Sequence, residues 1–206
     1  MIYWYMIKNE ILKLFPEPIF KYKFNNYQTV NIELSKYIYN LYENDNKGIE
    51  RSNRGGWHSE NFKLNEPNSI QQKFAQEVQK YIINTFQNMG WKIQDKNIRL
   101  KEMWAIINKK NNFNVIHTHA NCYLSAAYYV KAPENCGKFF VENPNIAKRF
   151  SHPEISNRNE LNGDVAGIDI NEGDLLIFPG YLPHKVGKNE SDDDRIVISF
   201  NVDIKN

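Results

Sequence analysis

Residues 173–201, "GDLLIFPGYLPHKVGKNESDDDRIVISFN", contain two apolar runs separated by turn residues and a polar loop. Gly173-Asp174 and Pro179-Gly180 predict turns on either side of a short strand. A second strand is predicted to begin at Arg195. Because side chains alternate across a strand, this one is predicted to have an apolar face and a polar face. The apolar face is formed by Ile196, Ile198 and Phe200, and the polar face by Arg195, Val197, Ser199 and Asn201.

The same strand character extends over the second half of the chain, from Gly90 onward. Short runs of β-branched, aromatic and aliphatic residues are bounded there by Gly, Pro, Asn and Asp, which predicts roughly six to eight strands. The runs cover residues 98–108, 122–130, 137–144, 163–170, 173–179 and 195–204. Residues 143–163 are mostly polar and are predicted to form a long loop.

The first half of the chain has helical periodicity. Apolar residues recur at helical spacing over residues 27–43, and more regularly over residues 69–89. Ser69 is a suitable N-cap, with Gln72 three residues later, and Gly90 suits the position after the helix end. Between the two predicted helices lies a Gly-rich loop that carries His58.

Helices followed by a run of strands predict an α+β fold, mainly β, with a sandwich or barrel behind the helices. The 206 residues contain no internal repeat and no long linker. One domain is therefore expected over residues 1–206, with a helical part over about 1–90 and a barrel over about 91–206. Residues 1–18 include an acidic residue and lack a small-residue cleavage site, so we expect them to be part of the fold rather than a signal peptide.

Composition narrows the functional classes. No apolar stretch reaches about 18 residues, so no membrane-spanning helix is expected. The net charge is +2 and no block of Lys and Arg stands out, which argues neither for nor against nucleic acid. Cys122 and Cys136 are the only cysteines, which favours a reducing cytoplasm over a disulfide-stapled secreted scaffold. Cys122 is predicted to be a small core residue.

Three of the five histidines are placed to meet a metal ion. His117 and His119 lie two residues apart, so in an extended segment they point to the same side. His184 follows 65 residues after His119, with enough strands between them for the chain to travel round a barrel and return to the same mouth. Imidazole is a good ligand for Fe, Cu, Zn and Ni. The alternative is that the pair lies on a solvated strand end and that His184 is an ordinary surface or core residue.

Arg195 leads the polar face of the last strand. Inside a closing barrel, a guanidinium needs an anionic partner, because an unpaired buried charge is very costly. The alternative is an exposed arginine that pairs with one of the neighbouring acidic residues, Asp192, Asp193 or Asp194.

Together, H-x-H, a distal His and an Arg beyond it resemble the Fe(II)- and 2-oxoglutarate-dependent oxygenase superfamily. The chain is more closely similar to a branch of oxygenases common in phage and marine bacterial genomes, and the matching segments appear in the right order over residues 14–201. These segments are "LFPEPIF", "SNRGGWHS", "MWAIINKKNNFNVIHTH", "YLSAAYYVKAPENCGK", "GDLLIFPGYLPHKV" and "RIVISFN".

The resemblance implies a double-stranded β-helix (a jelly-roll, cupin-like barrel) backed by N-terminal helices. It implies Fe(II) bound by His117, His184 and one further ligand, and 2-oxoglutarate as co-substrate, with Arg195 holding its distal carboxylate. The further candidates for cofactor binding are Tyr129, Ser199 and Asn201. Trp104, Tyr123, Ser125 and Tyr128 are weaker candidates for the pocket wall, His58 is a weaker candidate for its mouth, and His152 is expected to be a loop residue.

The third metal ligand departs from the usual pattern of this superfamily, which is two histidines and a carboxylate. His119 stands where Asp or Glu is expected, and position 121 is Asn. Three arrangements are possible: three histidines with His119 in the carboxylate position, two histidines completed by water, or His119 as the first ligand. We favour the first.

The predicted function is a 2-oxoglutarate-dependent dioxygenase that hydroxylates a substrate and releases succinate and CO2, in the cytoplasm of a bacterium or a phage-infected host cell. Two alternatives are a cupin-type metalloprotein that does not use 2-oxoglutarate, and a non-catalytic phage protein on a degenerate oxygenase fold. A small molecule, a protein side chain and nucleic acid are all compatible substrates, because loops determine substrate identity in such folds. The pattern does not indicate an oligomeric state.

Overall fold

The computed structural model of the chain describes residues 10–92, 98–150 and 152–204. The expectation that the first residues are part of the fold therefore lies, for residues 1–9, outside the described part. No helix within the described ranges has the combined length and apolar character needed to cross a bilayer.

The described residues form three helices and eleven strands, and eight of the strands follow Gly90. The helices are α1 (Tyr27–Asn44), α2 (Ile70–Asn88) and α3 (Ala147–Phe150). The strands are β1 (Phe20–Lys23), β2 (Asn53–Arg54), β3 (Trp57–His58), β4 (Ile98–Asn108), β5 (Phe113–His117), β6 (Leu124–Lys131), β7 (Phe139–Glu142), β8 (Val165–Ile168), β9 (Asp174–Pro179), β10 (His184–Val186) and β11 (Arg195–Ile204).

Two antiparallel sheets face each other. The major sheet has the strand order β1-β9-β6-β11-β4-β3, and the minor sheet has the order β2-β5-β10-β7-β8. Phe139 and Val141 of the minor sheet pack against Tyr129, Phe178 and Val197 of the major sheet, and this cluster fills one end of the space between them. The mainly β fold of the double-stranded β-helix type is therefore confirmed.

Helices α1 and α2 cover the outer face of the major sheet. On that face Tyr128, in the centre of β6, packs against Phe74 of α2 at a ring-centroid distance of 4.9 Å and against Phe24 at 5.0 Å. The apolar side chains of β11 that were predicted to share one face, Ile196, Ile198 and Phe200, belong to this core. The opposite face of the major sheet is thereby left to line the interior of the barrel.

Most predicted elements agree with the structure. Both helices lie within one residue of their predicted bounds, and the Ser69 hydroxyl accepts a hydrogen bond from the Gln72 amide as its N-cap. The strands predicted at residues 98–108 and 195–204 match β4 and β11 residue for residue. Five short strands were not predicted, namely β1, β2, β3, β5 and β10. Among the described residues of the predicted loop at 143–163, the short helix α3 is the only regular element.

Candidate metal-binding cavity

His117 and His184 meet across two neighbouring strands of the minor sheet. They are direct register partners in the antiparallel pair of β5 and β10. Side chains that are directly opposite on such a pair project from the same face of the sheet. The two imidazole rings accordingly lie with their centroids 4.3 Å apart, on the side that faces the barrel interior.

His119 reaches the same point by a different route from the predicted one. Strand β5 ends at His117, so His119 lies just beyond the strand, although its ring still comes to the same side, 5.2 Å from that of His117 between centroids. The His119 amide donates to the Gly180 carbonyl at 2.8 Å, and the Gly180 amide donates to the Tyr123 carbonyl at 3.1 Å. A Cβ at Gly180 would lie 2.6 Å from Cys122 Sγ. Gly180 therefore allows the predicted Pro179-Gly180 turn to hold the loop that carries His119.

The three imidazoles are arranged to present nitrogen lone pairs to one point. One ring nitrogen from each of His117, His119 and His184 lies within 4.8 Å of the others. The Nδ1 atoms of His117 and His184 lie 2.8 Å from the carbonyls of Val115 and Leu182. Since a carbonyl can only accept, each Nδ1 carries the proton and each Nε2 keeps its lone pair. This backbone contact fixes the tautomer that suits a metal ligand.

Burial keeps the triad neutral. The pKa of His119 is lowered to about 4 and that of His184 to about 3, first by burial and then by the nearby His117. Burial also lowers the pKa of His117. At pH 7 the cluster therefore offers three unprotonated imidazoles, the form in which histidine binds metal ions.

The triad opens into a cavity of about 690 Å³ between the two sheets. All four residues predicted for the polar face of β11, namely Arg195, Val197, Ser199 and Asn201, line it. The register of the major sheet places Asn108 opposite Arg195, Trp104 opposite Ser199, and Glu102 opposite Asn201 on the neighbouring strand β4. The cavity wall of this sheet is thus a ladder that has Arg195 at one end and Asn201 at the other.

Arg195 is 0% exposed, so the alternative of a surface arginine is excluded. The acidic residues that precede it pair elsewhere: Asp192 with Lys110, Asp193 with Lys131, and Asp194 with the Tyr39 hydroxyl. Nη1 of Arg195 donates to the carbonyl of Cys136 and, at 2.8 Å, to the carbonyl of Gly187. These contacts fix the plane of the guanidinium without neutralising its charge.

Five buried side-chain nitrogen and oxygen atoms lack a hydrogen-bond partner within the described residues, and all of them belong to residues that line this cavity. They are Arg195 Nε, Arg195 Nη2, the Tyr129 hydroxyl, Asn108 Nδ2 and Trp104 Nε1. Each is a donor or, for the hydroxyl, able to donate. Since an unsatisfied buried donor is costly, this set indicates a ligand rich in acceptors.

The weaker candidates divide by strand face. Trp104, Tyr129 and Asn201 line the cavity, and the Ser125 hydroxyl reaches it indirectly by donating to Asn201 Oδ1 at 2.6 Å. Three others do not reach it. Tyr128 points to the helices, Tyr123 is half exposed, and Cys122 is half-buried in the loop before β6 rather than a core residue.

His58 has a larger part in the site than the sequence analysis predicted, where it was a weaker candidate for the mouth of the pocket. It is buried, lines the cavity, and stacks on Trp104 with 9° between the ring planes. Trp104 in turn stacks against His119. The available signal was its place in the loop beside a Trp, but nothing in the spacing showed that this loop pairs with β4. His152 is an exposed loop residue, as predicted.

The fold and the triad together define a class of protein, namely a double-stranded β-helix with a candidate metal centre between its two sheets. Residues 102–201 match the model of a family described as "Putative 2OG-Fe(II) oxygenase". The match covers the barrel from β4 to β11 and includes all three histidines and Arg195. The predicted resemblance to the Fe(II)- and 2-oxoglutarate-dependent oxygenase superfamily is confirmed, whereas the phage or marine branch stays a prediction.

Solved structures share the fold over nearly the whole chain. A prolyl-4-hydroxylase from Pseudomonas putida is 12% identical, with a TM-score of 0.65 over 92% of this chain and 94% of that one. The α-ketoglutarate-dependent epimerase SnoN from nogalamycin biosynthesis is 11% identical, with a TM-score of 0.67 over 92% and 79% of the two chains.

A third similar structure is HygX from Streptomyces hygroscopicus with nickel, 2-oxoglutarate and hygromycin B bound. It is 11% identical and has a TM-score of 0.63 over 91% of this chain and 83% of that one. Among curated proteins, none matches the sequence of this chain. The predicted cofactors, Fe(II) and 2-oxoglutarate, agree with the family description, and HygX holds 2-oxoglutarate together with nickel.

The lowered pKa of His184 makes the metal-free protein sensitive to acid. Below about pH 6.5 the unfolded chain binds a proton at this histidine that the folded chain does not. The free energy of unfolding therefore decreases as the pH is lowered. At pH 5 the loss from His184 alone is expected to be about 2 kcal/mol relative to pH 8. Urea unfolding of wild type and His184→Gln in EDTA at both pH values measures it. Equal pH dependence in the two proteins would contradict the prediction.

Proposed function

We propose that the chain is an Fe(II)- and 2-oxoglutarate-dependent dioxygenase that hydroxylates its substrate and forms succinate and CO2. The observation that carries the proposal is the co-location of two features in one cavity. A neutral three-histidine cluster lies on the minor sheet, and a buried guanidinium with two unpartnered donor atoms lies on the major sheet. A metal ion suits the first, and a carboxylate suits the second.

His117, His119 and His184 would hold the iron. A metal–nitrogen distance of about 2.1 Å requires the nitrogens to approach to about 3–3.4 Å of one another. Their present separation, within 4.8 Å, needs only a small closure of side chains. The backbone acceptors at Nδ1 of His117 and His184 orient the ligands before the metal arrives. This supports the arrangement in which His119 replaces the usual carboxylate.

Arg195 would hold the distal carboxylate of 2-oxoglutarate. Its Nε and Nη2 atoms are both unpartnered and form one edge of the guanidinium, which matches the two oxygens of a carboxylate. Tyr129, whose hydroxyl is also unpartnered, lines the same cavity. Ser199 and Asn201, further along β11, would complete the polar wall.

Bound Fe(II) and 2-oxoglutarate supply oxidising power by using O2, with one oxygen atom entering succinate and the other the substrate hydroxyl. The chain contributes orientation and exclusion of water. Phe139, Phe178 and Val197 give the inner part of the cavity apolar walls. Hydroxylation is the outcome we propose, although the structures that share this fold include an epimerase and a carbocyclase.

A cupin-type metalloprotein is the main alternative. It is compatible with the barrel and with the three histidines, but a metal site alone does not require the unpartnered guanidinium edge of Arg195 or the unpartnered Tyr129 hydroxyl. Their burial would then be an uncompensated cost. A degenerate, non-catalytic fold is disfavoured for the same reason. Without a ligand, the buried guanidinium would lower the stability of the protein with no compensating interaction.

An anaerobic titration tests the proposal directly. We expect purified protein to bind one Fe(II), and we expect addition of 2-oxoglutarate to produce the visible metal-to-ligand charge-transfer band of a chelated complex. Admission of O2 should then yield succinate, slowly in the absence of substrate. Iron binding without any response to 2-oxoglutarate would reject the oxygenase and favour the cupin alternative. Absence of iron binding would favour the non-catalytic one.

The metal ligands can be tested one at a time. We expect His117→Ala and His184→Ala to abolish stoichiometric iron binding, because each removes one of three nitrogen donors. His119→Ala should weaken it, whereas His119→Asp should retain it by recreating two histidines and a carboxylate. Metal content after anaerobic loading and desalting measures the effect, and His152→Ala, an exposed histidine, is the matched control. Full occupancy in His184→Ala would refute the assignment.

Arg195 distinguishes the oxygenase from the cupin. A charge-assisted hydrogen-bonded pair contributes on the order of 1.5–3 kcal/mol, so Arg195→Ala should weaken 2-oxoglutarate binding roughly 10- to 200-fold. Arg195→Lys should recover part of the loss, since it offers a point charge instead of a fork. Iron affinity without co-substrate should stay unchanged.

The control for Arg195 is Arg54→Ala, which removes an exposed guanidinium that pairs with Glu50. Circular dichroism and thermal melting establish that each variant folds. If folded Arg195→Ala bound 2-oxoglutarate as tightly as the wild type, the proposed role of Arg195 would be wrong and the cupin alternative would lead.

A further inference from the structure

Asn108 presents an unused hydrogen-bond donor beside Arg195. It ends strand β4 and is the direct register partner of Arg195, which begins β11. Partners in an antiparallel pair project from the same face of the sheet, and both residues line the cavity. Asn108 is 1% exposed, yet its Nδ2 has no hydrogen-bond partner among the described residues.

The position of Asn108 is fixed by the chain around it. Its backbone carbonyl accepts a hydrogen bond of 2.8 Å from the side chain of Asn189, which also binds the carbonyl of Asp193. On the other side, the turn between β2 and β3 packs against one side of the amide, where a Cβ at Gly56 would lie 2.7 Å from Asn108 Nδ2. The amide is therefore held in a tight space that supplies it with no acceptor.

We propose that Asn108 donates the fourth hydrogen bond to the distal carboxylate of 2-oxoglutarate, in addition to those from Arg195 and Tyr129. This inference rests on the proposed function. A carboxylate has about four acceptor sites on its two oxygens. Arg195 Nε and Nη2, the Tyr129 hydroxyl and Asn108 Nδ2 are four donors without partners. The fifth unpartnered donor, Trp104 Nε1, lies further along the wall, on the residue opposite Ser199. The four donors on Arg195, Tyr129 and Asn108 can therefore fill the acceptor sites of one carboxylate, and each would otherwise remain buried at a cost.

The residue type at position 108 follows from the same argument. An aspartate there would place a permanent carboxylate next to Arg195 and occupy the guanidinium edge that the ligand needs. A leucine of similar size would leave the carboxylate one donor short. An asparagine amide donates without adding charge, so the cation stays available for an incoming anion.

Binding of 2-oxoglutarate and of 2-oxopentanoate to the anaerobic Fe(II) protein, followed by the visible band, tests this role. The second compound has the same metal-chelating end but no distal carboxylate. We expect Asn108→Ala to weaken 2-oxoglutarate about 10-fold and to leave 2-oxopentanoate unchanged. A merely structural role for Asn108 would weaken both equally. Iron content should match that of the wild type.

Two further variants sharpen the test. Asn108→Asp should reduce 2-oxoglutarate affinity more than 100-fold, roughly the loss of the charged contact, and should raise the thermal midpoint of the ligand-free protein by pairing with Arg195. The matched control is Asn31→Ala, at an equally buried asparagine on α1 that is hydrogen-bonded to Tyr128; it should bind both compounds normally.

The outcomes separate the two proposals. If the wild type binds 2-oxoglutarate and folded Asn108→Ala binds it equally well, or loses both compounds in equal measure, the role of Asn108 is refuted while the proposed function stands. If the wild type does not bind 2-oxoglutarate, both are refuted.

Discussion

The structure depends on one buried, permanently charged guanidinium. Arg195 is fully buried; burial lowers the pKa of its guanidinium, but an arginine remains protonated at ordinary working pH. Two of its five N–H donors are used by two backbone carbonyls, those of Cys136 and Gly187. Cys136 precedes β7, and Gly187 follows β10, which begins with His184. The arginine of the major sheet thereby anchors two segments of the minor sheet, one of which carries the candidate metal ligand His184. The free edge of the guanidinium is suited to an anion.

The three-histidine cluster changes the electrostatics of the cavity. A carboxylate ligand would cancel part of the metal charge, whereas three neutral imidazoles cancel none. Bound Fe(II) and Arg195 would together bring three positive charges into the cavity, of which a dianionic co-substrate would balance two. The charged side chains of Arg51, Glu60 and Glu102 also line the cavity but do not belong to the histidine cluster. Arg195 and His184 are both buried, so charges held beside them are screened less by water than charges at the surface. Metal and anion should consequently favour each other's binding more than in a site whose metal is bound by a carboxylate.

Sequence reasoning succeeded where the pattern was long and regular. Strand β11 alternates over ten residues between an apolar face and a polar one, and a shift by one residue would reverse both, so its register was readable. The helix α2 has an N-cap and an apolar stripe. The five missed strands have five residues or fewer. Such segments are stabilised by their partners rather than by their own composition, and β2 and β3, two residues each, are strands only because β5 and β4 lie beside them.

The site was predictable as a set of residue types but not as a geometry. The three histidines and Arg195 were identifiable because few residue types combine metal binding with anion binding. Their convergence depends on contacts between distant segments, such as the pairing of β5 with β10 and the Gly180 contact that directs His119. Asn108 illustrates the limit most clearly. An asparagine at the end of a strand is ordinarily a turn residue, and only the register with Arg195 shows that its amide is a buried donor facing a cavity. A side chain that donates its hydrogen bond to a ligand, and not to a neighbouring residue, produces no recognisable pattern in the local sequence.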